Sequence, residues 1–149
     1  MDKELVAEWF RYAKMDLDLA KHSFATMHPA PLEIICYHCQ QAAEKFLKGV
    51  IIAFDDEPEK THDLLKIITV LKRYIDFPVE LERFGETLTL YGVRTRYPDA
   101  ITVDEDQTKL AIAQAEKIKI WAEKVIAEKC DNETEKSGKE ENTIDTTTD

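Results

Sequence analysis

Tyr37-His38-Cys39-Gln40-Gln41-Ala42-Ala43-Glu44-Lys45-Phe46-Leu47-Lys48 reads as the middle of a helix with two unlike faces. At 3.6 residues per turn, Ile35, Cys39, Ala42, Ala43, Phe46, Val50 and Ala53 share one side. Tyr37, Gln41, Glu44 and Lys48 share the other, flanked by His38 and Lys45. A helix face left to solvent ordinarily carries long charged side chains in loose i,i+4 pairs. This one carries two adjacent glutamines, a tyrosine and a histidine, which predicts a covered surface. The expected interface residues are Tyr37, Gln40, Gln41, Glu44 and Lys48.

Working outward, a first helix is predicted from about Lys3 to Phe24, with Leu5, Trp9, Tyr12, Ala13, Asp16, Leu17 and Ala20 at helical spacing. Asp16 lies among apolar neighbours, either as a partly buried carboxylate in need of a partner or at the edge of the stripe. His28-Pro29-Ala30-Pro31 breaks the chain, because proline disfavours helix at the residue before it. The second helix then spans Leu32 to about Phe54. Thr61 is the expected N-cap of a third helix over Leu64 to Tyr74, with His62 and Asp63 in its first turn. Val79 to Tyr91 reads as a fourth helix closed by Gly92. Asp104 caps a last helix to about Glu128, with Leu110, Ala111, Ile118, Trp121 and Val125 on one face. No strand-like alternation of useful length occurs. The expectation is an all-α, up-and-down bundle of about five helices over residues 1–130, followed by a disordered acidic tail, 131–149. The tail's one apolar residue, Ile144, cannot offset the entropy of ordering it.

A chain of 149 residues with net charge −10 fits one domain with a real core and argues against broad, nonspecific nucleic-acid binding. The tail holds seven acidic and two basic side chains, half of that net charge, so local basic patches remain open to the folded part. No stretch is long and apolar enough to cross a membrane, and the N-terminus lacks a secretory pattern. Three cysteines make no disulfide framework. A cytoplasmic location is the expectation.

Four segments in order carry a resemblance. They are Trp9…Ala13…Asp16-Leu17…Ala20, the Tyr37 to Lys48 stretch, Lys60-Thr61-His62-Asp63-Leu64-Leu65, and Tyr91-Gly92-Val93-Arg94-Thr95-Arg96-Tyr97-Pro98-Asp99. Together, over roughly residues 4–128, they resemble the HEPN family, whose name refers to domains of prokaryotes and higher eukaryotes that bind nucleotides. The resemblance implies a helical homodimer, often paired with a minimal nucleotidyltransferase in a toxin–antitoxin-like system. No cofactor is expected.

Arg94, Arg96, Tyr97 and Asp99 are the expected nucleotide- or RNA-phosphate-binding residues. The planar fork of arginine matches phosphate oxygens, and Pro98 stiffens the turn beside them. The other reading has both arginines pairing with Asp99 and local carboxylates to pin the turn. In HEPN members that cut RNA, the implied pattern is an arginine and a following histidine with four to six residues between them. Here those positions hold Asp99, Ala100, Ile101, Thr102 and Val103. A ribonuclease would therefore have to take its histidine from His38 or His62, each of which also reads as a structural residue. Cys36-Tyr37-His38-Cys39 has C-x-x-C spacing, but both thiols point to the apolar side and no second cluster completes a metal site, so they read as inert core residues. Trp9, Phe10, Tyr12 and Trp121 likewise read as core rather than base-stacking platforms.

Overall fold

The computed structural model describes residues 1–92, 98 and 102–141. Five α-helices form in the predicted order: α1 (Lys3–Thr26), α2 (Leu32–Ala53), α3 (Leu64–Leu71), α4 (Val79–Thr89) and α5 (Glu105–Glu141). Among the described residues there is no strand. α2 touches each of the other four helices and is the centre of the bundle. Its Cys39, Ala42, Ala43, Phe46, Val50 and Ala53 are fully buried.

α1 starts where the Asp2 carboxylate accepts from the Leu5 N–H at 3.0 Å, and it lays Val6, Phe10, Ala13, Leu17 and Ala20 on α2. Gly49 lets the two helices meet closely: a Cβ there would lie 2.7 Å from Cε1 of Phe10. Phe10 in turn meets Phe46 edge-on, with ring centroids 5.3 Å apart. Leu5 and Tyr12, expected on the core stripe, instead lie exposed. The apolar positions of α1 are too many for one contact face, and α2 takes only those centred on Ala13.

α3 and α4 form a hairpin over one end of α2. Asp63, not Thr61, is the N-cap of α3: its carboxylate accepts from Leu65 N at 3.0 Å, while the Thr61 hydroxyl accepts from Asp63 N at 3.2 Å. Both residues are good caps, and the later one wins by meeting an N–H of the first turn. The Thr89 hydroxyl accepts from Leu64 N at 3.1 Å and donates to the Gly85 carbonyl at 2.7 Å, tying the start of α3 to the end of α4.

α5 opens with reciprocal bonds. Asp104 Oδ1 accepts from Gln107 N at 2.7 Å, and Gln107 Oε1 accepts from Asp104 N at 3.0 Å. Ala111, Ala115, Ile118 and Ala122 are its buried line, and small residues allow close approach to the bundle. Leu110, expected on this face, points outward. Lys21–Glu116 and Lys14–Glu123 (3.7 Å) join α1 to α5.

α5 also corrects the expected domain limit. It does not stop near Glu128 but runs to Glu141, through more than half of the stretch read as disordered. Burial does not drive this, since residues 131–140 are exposed except for half-buried Glu133. Once a helix is nucleated, each added residue is fixed by one backbone bond, so propagation needs far less stabilisation than initiation. The Lys129–Glu133 pair at 3.8 Å adds a little more.

Two outcomes test this packing. Gly49→Leu should destabilise the protein by about 1–3 kcal/mol through overpacking against Phe10 and lower the melting temperature by several degrees. Deleting residues 131–149 should remove helical circular-dichroism signal yet shift melting by only about 2 °C or less, because none of the side chains of residues 131–140 is buried. Unchanged helicity would contradict the extended α5.

Candidate functional site

The polar stripe of α2 is covered, and its own chain covers it. Glu44 has only 6% of its side chain exposed. A lone carboxylate at such depth would be expensive, and here it is fully partnered. Lys48 Nζ donates to Glu44 Oε1 at 2.8 Å, and Gln40 Nε2 donates to Glu44 Oε2 at 3.1 Å. His62 arrives from the loop before α3 and sets Nδ1 3.0 and 3.2 Å from the two Glu44 oxygens. Gln40 Nε2 also donates to the His62 carbonyl at 3.1 Å, and Gln41 Nε2 donates to Gln40 Oε1 at 2.8 Å. Gln40, Glu44 and Lys48, expected to face a partner, are therefore buried within one chain; Tyr37 and Gln41 remain half-buried at the border. The reason is that loop 55–63 folds back over the stripe.

His62 is the open member of this group, with 63% of its side chain exposed. An Nδ1–H donated to Glu44 fixes the ring and leaves Nε2 as the nitrogen that Glu44 does not engage. Gly92 presses directly on Gln40, where a Cβ would lie 3.0 Å from the Gln40 amide carbon. The chain thus passes over the cluster two residues before Arg94. Arg94, Arg96, Tyr97 and Asp99 themselves lie outside the described residues.

His38 sits in a second group. Its Nδ1 is 2.9 Å from Asp16 Oδ1, and Lys45 Nζ donates to Asp16 Oδ2. This supplies the partner that Asp16 was expected to need. Burial acts to raise the Asp16 pKa, but the hydrogen bonds from His38 and Lys45 and the Lys45 charge outweigh it, holding the carboxyl below its ordinary 3.8. The His38 ring is far less exposed than that of His62. The cysteines are core residues: Cys36 Sγ lies 3.5 Å from the buried Thr108 hydroxyl, and burial pushes both thiols up, away from the reactive thiolate. Trp121 packs on Phe77 at 4.8 Å, as a core aromatic should.

The two charged groups differ in what they predict. Lys48→Met leaves Glu44 buried without its ammonium partner and should cost about 3 kcal/mol, while Glu44→Gln combined with Lys48→Met should recover most of that loss. Denaturant titration of the single and double variants measures it. Asp16 has a depressed folded pKa, so its stabilisation is present above the ordinary value and lost as pH falls through the folded one. Asp16→Asn should therefore destabilise by about 1.5–3 kcal/mol near neutrality, with the difference from wild type shrinking as pH drops below about 4.

The same arrangement of helices occurs in known proteins. TT1696 from Thermus thermophilus is 27% identical and superposes with a TM-score of 0.72, over 80% of this chain and 97% of that one. ST0689, an archaeal HEPN homologue, is 22% identical with a TM-score of 0.64, covering 81% and 97% of the two chains. A HEPN domain protein from Thermotoga maritima is 24% identical with a TM-score of 0.51, over 85% and 98%. The last two likenesses bear on the fold alone. No curated protein matches. The HEPN domain profile matches residues 6–125, which takes in nearly all of α1, the whole of α2 to α4 and the buried line of α5. The chain belongs to the HEPN domain family.

Proposed function

We propose that this chain is a dimeric HEPN-type module that binds a nucleotide or an RNA phosphate and works beside a minimal nucleotidyltransferase in a toxin–antitoxin-like pair. The observation that supports binding is the Gln40–Glu44–Lys48–His62 cluster under Gly92. It anchors the chain two residues before Arg94 and sets an exposed, carboxylate-held imidazole beside that anchor. Arg94 and Arg96 supply two guanidinium groups within the next four residues, with Tyr97 and Asp99 following. Membership of the HEPN family supports the dimer and the nucleotidyltransferase partner. Among the described residues no helix is long and apolar enough to cross a membrane.

In this reading His62 contributes a hydrogen bond or a charge to the phosphate, and no cleavage follows, since no histidine follows either arginine with four to six residues between. A second reading is favoured by the Glu44–His62 contact itself. An imidazole whose Nδ1–H is fixed by a carboxylate is arranged as a general base at Nε2. In a metal-independent endoribonuclease, that nitrogen would take the proton of a ribose 2′-hydroxyl as its oxygen attacks the adjacent phosphate, with an arginine stabilising the charge. His38, tied to Asp16 and half-buried, suits this role less well.

Fluorescence titration with a short labelled RNA and with a nucleotide tests both. Affinity should fall with rising salt, and Arg94→Ala and Arg96→Ala should each weaken it about tenfold or more. Intact RNA after prolonged incubation with the wild type is the expected result. Cleavage that disappears in both His62→Ala and Glu44→Gln, with the fold retained, would instead establish the ribonuclease. Absence of binding at low salt would overturn both.

A further inference from the structure

The loop that follows α2 encloses a hollow of about 530 Å³ against the first turns of α1. Its apolar walls are Leu5 and Trp9 from α1, Ile52 from α2 and Pro58 from the loop. Lys48, one turn before Ile52, is the charge on the α2 side. Both sides are fixed by contacts of their own. The base of Trp9 rests on α2 next to Lys48: a Cβ at Gly49 would lie 3.3 Å from the Trp9 Cβ. Across the hollow, the Asp56 carboxylate accepts from the Tyr74 hydroxyl at 2.6 Å and from Glu57 N at 2.8 Å, which pins the loop to the chain beyond α3. Walls built in advance spare a ligand the entropy of ordering them.

Lys48 says what such a ligand carries. Only 8% of its side chain is exposed. An ammonium has three N–H donors, and among the described residues Lys48 has one acceptor, Glu44 Oε1 at 2.8 Å. A buried donor without an acceptor is costly, so the remaining N–H groups call for oxygen atoms from whatever fills the hollow. A carboxylate supplies those atoms together with the opposite charge. The lip has the other sign: exposed Glu57 and Glu59 outnumber Lys60, while Asp56 is turned to Tyr74. An apolar acid alone meets that lip unfavourably, and an apolar acid that also bears an ammonium group meets it favourably.

We propose that this hollow binds a free α-amino acid with an apolar side chain. Its carboxylate takes the donors of Lys48, its ammonium group faces Glu57 and Glu59, and its side chain packs on Trp9, Leu5 and Ile52. The site uses neither arginine of the phosphate-binding reading and meets the Glu44 cluster only through Lys48.

Tryptophan fluorescence of the full chain reads the site, since Trp9 stands in its wall while Trp121 packs on Phe77. Titration with L-phenylalanine should change the emission with a dissociation constant of about 0.1–1 mM, the range for a ligand of this size. Hydrocinnamate, which lacks the amine, and phenethylamine, which lacks the carboxylate, should each bind about tenfold or more weakly. Replacing both lip acids, Glu57→Lys with Glu59→Lys, should weaken L-phenylalanine and tighten hydrocinnamate, a crossing that a loss of structure would not produce. Lys48→Met made together with Glu44→Gln, with native circular dichroism, should weaken L-phenylalanine at least about tenfold. Unchanged affinity in that double variant, or phenethylamine binding as well as L-phenylalanine, would overturn the role of Lys48. Lip reversal without the crossing would overturn the amino-acid assignment. No emission change at roughly 10 mM L-phenylalanine would leave the hollow to water and overturn the site itself.

Discussion

One buried negative charge organises half of this molecule. The Glu44 carboxylate sits inside the middle of the central helix, where water cannot solvate it, and every lone pair has to be answered from nearby. Lys48 and Gln40 come from the same helix, one turn to either side, and His62 closes the ring from the connecting loop. That last contact fixes more than itself. It sets the loop on α2, one residue before the Asp63 cap of α3. The first N–H of α3 is bound by Thr89 at the end of α4, and three residues later Gly92 lands on Gln40. The ring of contacts thus starts and ends on one helix turn. Losing the charge balance at Glu44 would loosen the α3–α4 hairpin and the Gly92 contact together.

The α1–α2 pair is set by a different rule. Closeness comes from a missing side chain at Gly49, while alignment along the axes comes from Asp16, which reaches His38 and Lys45 on α2. Sterics fix the distance and electrostatics fix the register. Since residues on one helix face recur every three or four positions, a slip of one residue would break both Asp16 contacts and drive Phe10 off Gly49.

Much of this was legible in the residues. Hydrophobic periodicity placed all five helices, and glutamines and a histidine among the polar positions of α2 marked a covered face. What covers it was not legible, because His62 lies 18 residues downstream of Glu44 and only the fold of the loop brings them together. The same limit applied to Asp16: its need for a partner follows from its apolar neighbours, while His38 and Lys45 belong to another helix. Thr61 and Asp63 are both good caps, and composition does not choose between them. Periodicity alone puts Leu5, Tyr12 and Leu110 in the core, since it does not say how wide a strip the neighbouring helix takes. The continuation of α5 past Glu128 is not legible in composition, because residues 131–141 carry no apolar side chain and a helix already nucleated does not need one to propagate. The arginine segment, where the strongest chemical expectation fell, lies outside the described residues.

That continuation has a hydrodynamic consequence. Up to Glu133 α5 still touches the bundle, through Lys129 on the Phe54 ring and Glu133 near the N-terminus, and from there to Glu140 it adds roughly 10 Å of exposed rod at 1.5 Å per residue. A sphere with such a spur diffuses more slowly than its mass implies, so one copy would leave a sizing column early, in the direction of an apparent dimer. The spur is also straight and continuous with a helix packed into the core. A probe attached near Gly138 would therefore tumble with the body of the protein, turning the far end of α5 into a pointer that reports the orientation of the whole bundle.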